Sequence, residues 1–124
     1  MDTVANMLTQ LRNGSDKRLD VVEVSGSKTV GSILKILNEE GFVGDFEENG
    51  RKYSVKLLYE GNDPVLSKLE RVSKSGRRVY TGWKELKPVM GGRGIGILST
   101  PDGVMTIESA RKKKVGGEYI CKIW

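Results

Sequence analysis

The sequence predicts a mixed α+β chain in two small lobes. Three observations carry that reading: two helical stripes with a hairpin signal in the first half, short alternating segments in the second, and a turn-rich break between them where the charge changes sign. Residues 1–64 hold 8 Lys/Arg against 11 Asp/Glu, whereas residues 65–124 hold 13 against 5. The expected division is an α/β lobe at 1–62 and a mainly β lobe at 63–124. A chain of 124 residues suits one domain or two lobes sharing a core.

Val4, Met7, Leu8 and Leu11 fall at i, i+3, i+4 and i+7, one stripe of a helix that Asp2 or Thr3 can cap and Asn13–Gly14 ends. "LDVVEV" reads as a strand. Val30, Ile33, Leu34 and Leu37 repeat the helical spacing, with Ser27 at the N-cap and Gly41 just past the end. "FVGDF" begins a strand, Asn49–Gly50 supplies a hairpin turn, and Tyr53, Val55, Leu57 and Tyr59 alternate along the return. "EGNDP" at 60–64 gathers turn formers and marks the break.

Beyond it, "VLSKLERV" contains a strand, "SKSGRR" a basic turn, and Val79–Tyr80 a further short strand. "GIGILS" reads as a strand and "PDG" as a tight turn. Thr106 caps a helix "IESARKKK", whose Glu108 and terminal lysines match the helix dipole. "EYICKIW" alternates as a closing strand.

Composition closes off several chemistries. There is no histidine, so neither a Ser–His–Asp nor a Cys–His pair can exist, and one cysteine with carboxylates makes a poor zinc site. Cys121 has no partner for an intramolecular disulfide, which points to a reducing compartment. No apolar run approaches the ~20 residues that span a bilayer, and "MDTVANMLTQLRNGS" lacks the parts of a secretory signal. No membrane partner, metal or cofactor is expected. A net charge of +5, concentrated in the second half, points to a polyanion, of which nucleic acid is the commonest.

The stretch "GGRGIG" at 91–96 raises a nucleotide-binding enzyme as one hypothesis. A dinucleotide fingerprint needs a third glycine at 99, where Ser99 stands, and a helix after the glycines, whereas here a β-branched run follows. The glycines suit a turn and close packing at a strand start. Ser99 and Thr100 fall where the strand meets the turn. Their hydroxyls can meet base edges and sugar hydroxyls, or simply tie down the turn, and the spacing leaves both open. Lys74, Arg77 and Arg78 surround Gly76, with Tyr80 just beyond: guanidinium groups for phosphates beside a ring for an unpaired base, unless Tyr80 is core. Lys112, Lys113 and Lys114 either meet phosphate or form a solvated helix end. Glu118 follows two glycines; it can pair with an arginine, accept from a base amine, or act as an acid, the last without a partner group nearby.

The block "GRGIGILSTPDGVMTIESARKKKVGGEYICKIW", together with "RRVY", "ANMLTQLRNG" and "SK" before the second helix, resembles the bacterial-type family of the eighth protein of the small ribosomal subunit. The resemblance covers essentially the whole chain. It implies a non-enzymatic protein of the cytoplasmic ribosome (an organellar one would look the same). Such a protein binds an irregular helix with unpaired bases in the central domain of small-subunit rRNA, beside neighbouring ribosomal proteins. In many bacteria the family also represses its own operon's messenger RNA. Its fold is an N-terminal α/β lobe packed on a mainly β C-terminal lobe. Carried over by residue, the resemblance puts Ser99 and Thr100 in the RNA core, Tyr80 as an RNA-facing aromatic with Gly117 and Glu118 beside it, and Lys28 and Arg12 near the backbone. The basic pair Arg77 and Arg78 completes the set of candidate RNA-binding residues. Pro101 stands where the family usually has a second serine and removes a hydroxyl and an N–H. Thr3 replaces a common proline, and Pro88 lies one place late. A non-ribosomal RNA-binding adaptor, or a protein–protein adaptor using the acidic half, is the alternative outside enzymology.

Overall fold

A computed structural model describes residues 3–124. The chain forms two compact units, Met1–Ser67 and Lys68–Trp124.

In the first unit, α1 (Thr3–Asp16), β1 (Val21–Ser25), α2 (Lys28–Glu39), β2 (Val43–Asn49) and β3 (Lys52–Leu57) follow one another. The sheet order is β1–β3–β2, with β3 antiparallel to both neighbours. β1 and β2 therefore run parallel, joined by α2 and split by the inserted β3. The apolar stripes of both helices are buried: Met7, Leu11, Ile33, Leu34 and Leu37 are fully covered, as are Val24 and Val55 from the sheet. Each such side chain contributes about 1.5–3 kcal/mol by leaving water.

The caps explain where the helices stop. Ser27 accepts a hydrogen bond from the Val30 N–H, and Gly41 at φ 81° closes α2, its N–H bonded to the Asn38 carbonyl. The helix α1 runs past the expected stop at Asn13–Gly14 to Asp16. Gly14 is buried there instead: a Cβ would lie 3.1 Å from Leu57 Cδ1 and 3.3 Å from Val22. The glycine serves close packing against the sheet, and the turn out of the helix falls on Arg18 at φ 59°. The proposed Asp2 cap lies outside the described residues. Asn49–Gly50 makes the expected β2–β3 hairpin, and "EGNDP" folds into a small one between β4 (Tyr59–Glu60) and β5 (Asp63–Pro64), inside the first unit.

The second unit is built on β10 (Gly117–Ile123). One side of it pairs with β6 (Leu69–Arg71) and β7 (Tyr80–Thr81), the other with β8 (Ile95–Thr100), which pairs with β9 (Gly103–Thr106). All pairings are antiparallel. The helix α3 (Ile107–Lys113) packs on β8 and β9, its N-terminus capped as expected by Thr106, which accepts from the Ser109 N–H. Leu86, Val89, Leu98, Met105, Ile107 and Ala110 form the core on that side. The strand in "VLSKLERV" is only three residues long, and β9 was not foreseen, being four residues that start on a glycine.

The stretch at 91–96 is a turn entering a strand. Gly91 and Gly92 take φ 65° and 97° in a short 3-10 segment, Val89–Gly92, and β8 begins at Ile95 after Arg93 and Gly94. No helix N-terminus is there to hold a phosphate.

Candidate nucleic-acid interface

The end of β10 threads between β7 and β8, and glycine makes that passage possible. A Cβ on Gly117 would collide with the Ser99 carbonyl oxygen and lie 3.1 Å from Thr100 Cα. A Cβ on Gly116 would lie 2.5 Å from the Thr81 oxygen. With both side chains absent, Glu118 pairs across β10 with Tyr80 on one side and Ser99 on the other. Directly opposed residues in antiparallel strands share a face, so Tyr80, Glu118 and Ser99 stand in a row across ~10 Å of sheet.

Each member of the row is in a different state. Tyr80 is 71% exposed, so it is not a core residue. Glu118 is anchored: the Ser73 hydroxyl donates to its Oε2 at 2.5 Å and the Arg78 guanidinium donates to the same oxygen at 3.1 Å. The Ser73 hydroxyl, and then Arg78, hold its carboxyl below the ordinary carboxylate range, although partial burial pushes the other way. Of the three roles open to Glu118, pairing with an arginine is the one the geometry contains. Ser73 is fully buried and also accepts from the Val79 N–H at 3.2 Å, so it ties the strand before Tyr80 to the strand bearing Glu118. Sequence reasoning missed Ser73, since a serine before a basic turn carries no distinguishing signal.

Ser99 and Thr100 separate clearly. The Thr100 hydroxyl donates to the Gly103 carbonyl at 2.8 Å and accepts from the Asp102 N–H at 3.1 Å. It is the fastening of the β8–β9 turn. Pro101 occupies the first corner of that turn, where its fixed φ is favourable and no N–H is needed. Among the described residues, the Ser99 hydroxyl has no hydrogen-bond partner.

The basic turn lies next to the row. Lys74 and Arg77 exchange both backbone hydrogen bonds at 2.9 Å, closing a tight loop in which Arg77 and Arg78 are exposed, with Arg78 joined to the row through Glu118. Lys28 and Arg12 belong to the first unit. Lys28 opens α2 and is exposed, next to the Ser27 cap to which the Thr3 hydroxyl donates at 3.3 Å. Arg12 is exposed late in α1, about 13 Å along the helix from Thr3. Cys121 is buried at the centre of β10, and burial pushes its thiol up to about 12, so the thiolate that a nucleophile requires does not form near neutral pH. Among the described residues, no cluster of His, Cys, Asp and Glu could hold a metal, and no helix is long and apolar enough to cross a membrane.

An exposed ring and an open hydroxyl stand on one β-face, with the Arg78 guanidinium held beside them by Glu118. The chain belongs to the ribosomal protein S8 family, whose model matches residues 2–124. This is a family of structural, non-enzymatic proteins of the small ribosomal subunit. The chain is 45% identical over 129 residues to small ribosomal subunit protein uS8 of Trichodesmium erythraeum, covering 99% of this chain and 97% of that protein. Against uS8 of Solibacter usitatus the identity is 44% over 128 residues, covering 99% and 98%. Against uS8c of Gracilaria tenuistipitata var. liui it is 44% over 129 residues, with the same coverage.

Proposed function

We propose that this chain is a primary binder of small-subunit ribosomal RNA, docking on an irregular helix of the central domain and holding it for assembly. The observation that carries the proposal is the row Tyr80–Glu118–Ser99, in register on one face and flanked by Arg77 and Arg78. In this reading Ser99 meets a base edge or ribose hydroxyl, and Tyr80 takes the face of an unpaired base. Gly117 lets the nucleic acid and the strand approach closely. Glu118, within the row, fixes Arg78 at the surface for a phosphate. Thr100 contributes by holding the turn in shape, and Lys28 and Arg12 add phosphate contacts from the first lobe. Neighbouring ribosomal proteins are the partners of the acidic half, and a messenger RNA element of the same shape would meet the same row.

Filter binding to a central-domain RNA fragment tests this. With ~4–6 phosphates neutralised, log K should fall with log salt at about −0.9 per contact on duplex. A salt-independent, micromolar interaction would sink the proposal.

A further inference from the structure

The basic end of α3 has a structure of its own. On the α3 side of the sheet, opposite the row just described, Trp83 packs its ring against the core of the second unit. The Lys84 ammonium lies 5.5 Å from the ring centroid and the Lys114 ammonium 5.9 Å from it. The indole thus has two ammonium groups within 6 Å of its ring centroid, and a phosphate approaching the ring would be attracted to both. Beside the ring is a cleft of about 340 Å³ lined by Trp83, Glu108, Arg111 and Lys112. The carboxylates nearby are already engaged: Glu108 pairs with Lys112 at 3.6 Å, and Glu85 accepts from the Gly82 N–H at 3.3 Å. Lys114 itself sits at φ 58°, a left-handed position closing α3 where glycine is the unstrained residue. A lysine thus occupies a left-handed position.

We propose that Trp83, with Arg111 and Lys112 on the cleft wall and Lys84 and Lys114 over the ring, forms a second RNA contact, in which a phosphate of a strand flanking the irregular helix meets these cations and its ribose or base lies on the indole. The chemistry is a polyanion with a flat ring every few ångströms, which matches cations gathered around a half-buried indole. The inference rests on the RNA-binding reading above and extends it to a face that the Tyr80–Ser99 row does not reach.

The test uses the full chain and two RNAs: the irregular helix alone, and the same helix carrying its flanking strands. Lys114→Gly removes the cation and relieves the backbone, so its thermal midpoint should hold or rise. Its affinity for the longer RNA should nevertheless fall about fivefold, with a salt slope shallower by roughly 0.7–0.9, while its affinity for the helix alone stays unchanged. In a Trp124→Phe background, Trp83 is the sole tryptophan. Its emission should be quenched, and its access to acrylamide reduced, by the longer RNA. If Ser99→Ala weakens both RNAs while Lys114→Gly and Trp83 emission respond to neither, the second contact is wrong and the first reading stands. If Ser99→Ala is also without effect, both fall. Quenching of Trp83 by polyglutamate but not by RNA would overturn the inference in favour of an acidic protein segment.

Discussion

The interior of the first unit and the Gly116–Gly117 end of the second are ordered by different physics. The first rests on aliphatic burial, with Met7, Leu11, Ile33, Leu34, Leu37, Val24 and Val55 all withdrawn from water. At the Gly116–Gly117 end of the second, order comes from backbone approach and a polar relay. Gly116 and Gly117 leave no room for a methyl group, and the Val79 N–H, the Ser73 hydroxyl and the Glu118 carboxylate form one chain of hydrogen bonds. Aliphatic burial is graded, because a neighbour can relax into part of a lost volume. Backbone approach is not graded in that way, because a carbonyl oxygen fixed in a ladder has nowhere to go.

The largest effect expected is in the first unit. Leu34→Ala should cost about 2–5 kcal/mol in urea unfolding, whereas Leu34→Met should cost under about 1.5 kcal/mol. The second unit should respond oppositely to the size of the change. Adding one methyl in Gly117→Ala should cost about 1–3 kcal/mol, by overpacking against the Ser99 carbonyl. Gly76→Ala, in the basic turn with nothing near its Cβ, should stay within about 0.5 kcal/mol. Alkylation of buried Cys121 reports opening of β10, and should accelerate in Gly117→Ala but not in Gly76→Ala. Equal behaviour of the two glycine variants would mean that close backbone approach at Gly117 contributes nothing particular to the second unit.

The same difference decides what could be read in the sequence. Periodicity, N-caps and the Asn49–Gly50 turn report local preferences, so α1, α2 and the β2–β3 hairpin were legible, as were Thr106 and the β10 alternation. The helix end at Gly14 was misread because its cause lies elsewhere in the chain, in Leu57 and Val22. Ser73 and Trp83 stayed invisible for a similar reason. A buried serine and a tryptophan that gathers lysines acquire their roles from residues that are 45 and about 30 positions away. The family resemblance located Ser99, Thr100, Tyr80 and Glu118 together, but it could not say that Thr100 fastens the turn while the Ser99 hydroxyl is left open.

Titration offers a further way to sharpen the comparison. Ser73 and Arg78 hold the folded carboxyl of Glu118 below its unfolded value, so its stabilisation is complete above the unfolded pKa and is lost as pH falls through the lowered folded one. Glu118→Gln should therefore be less stable than the parent at pH 7, by about 1–2 kcal/mol for a weakened charge-assisted bond. The gap should close below the carboxylate range. A deficit that persists at acid pH would mean that shape at this position, rather than charge, matters.

A change in stability as small as that of Gly76→Ala should come from Ser99→Ala, and there it is the contrast with its neighbour that carries the information. The Ser99 hydroxyl has no partner among the described residues, so removing it leaves nothing unpaired and should move the unfolding midpoint by no more than about 0.5 kcal/mol. Thr100→Ala deletes two hydrogen bonds of the β8–β9 turn and should cost about 1 kcal/mol. On the central-domain RNA the order should reverse. Ser99→Ala loses a direct contact, about 1–3 kcal/mol of specific affinity, with no matching loss on a random duplex. Thr100→Ala acts only through the turn, so an added restraint should offset it; Pro101 already rigidifies one corner and keeps the RNA penalty below that of Ser99→Ala. A Thr100→Ala protein that folds as well as the parent yet binds more weakly than Ser99→Ala would assign direct recognition to Thr100. The open hydroxyl at position 99 would then be an incidental feature of the surface.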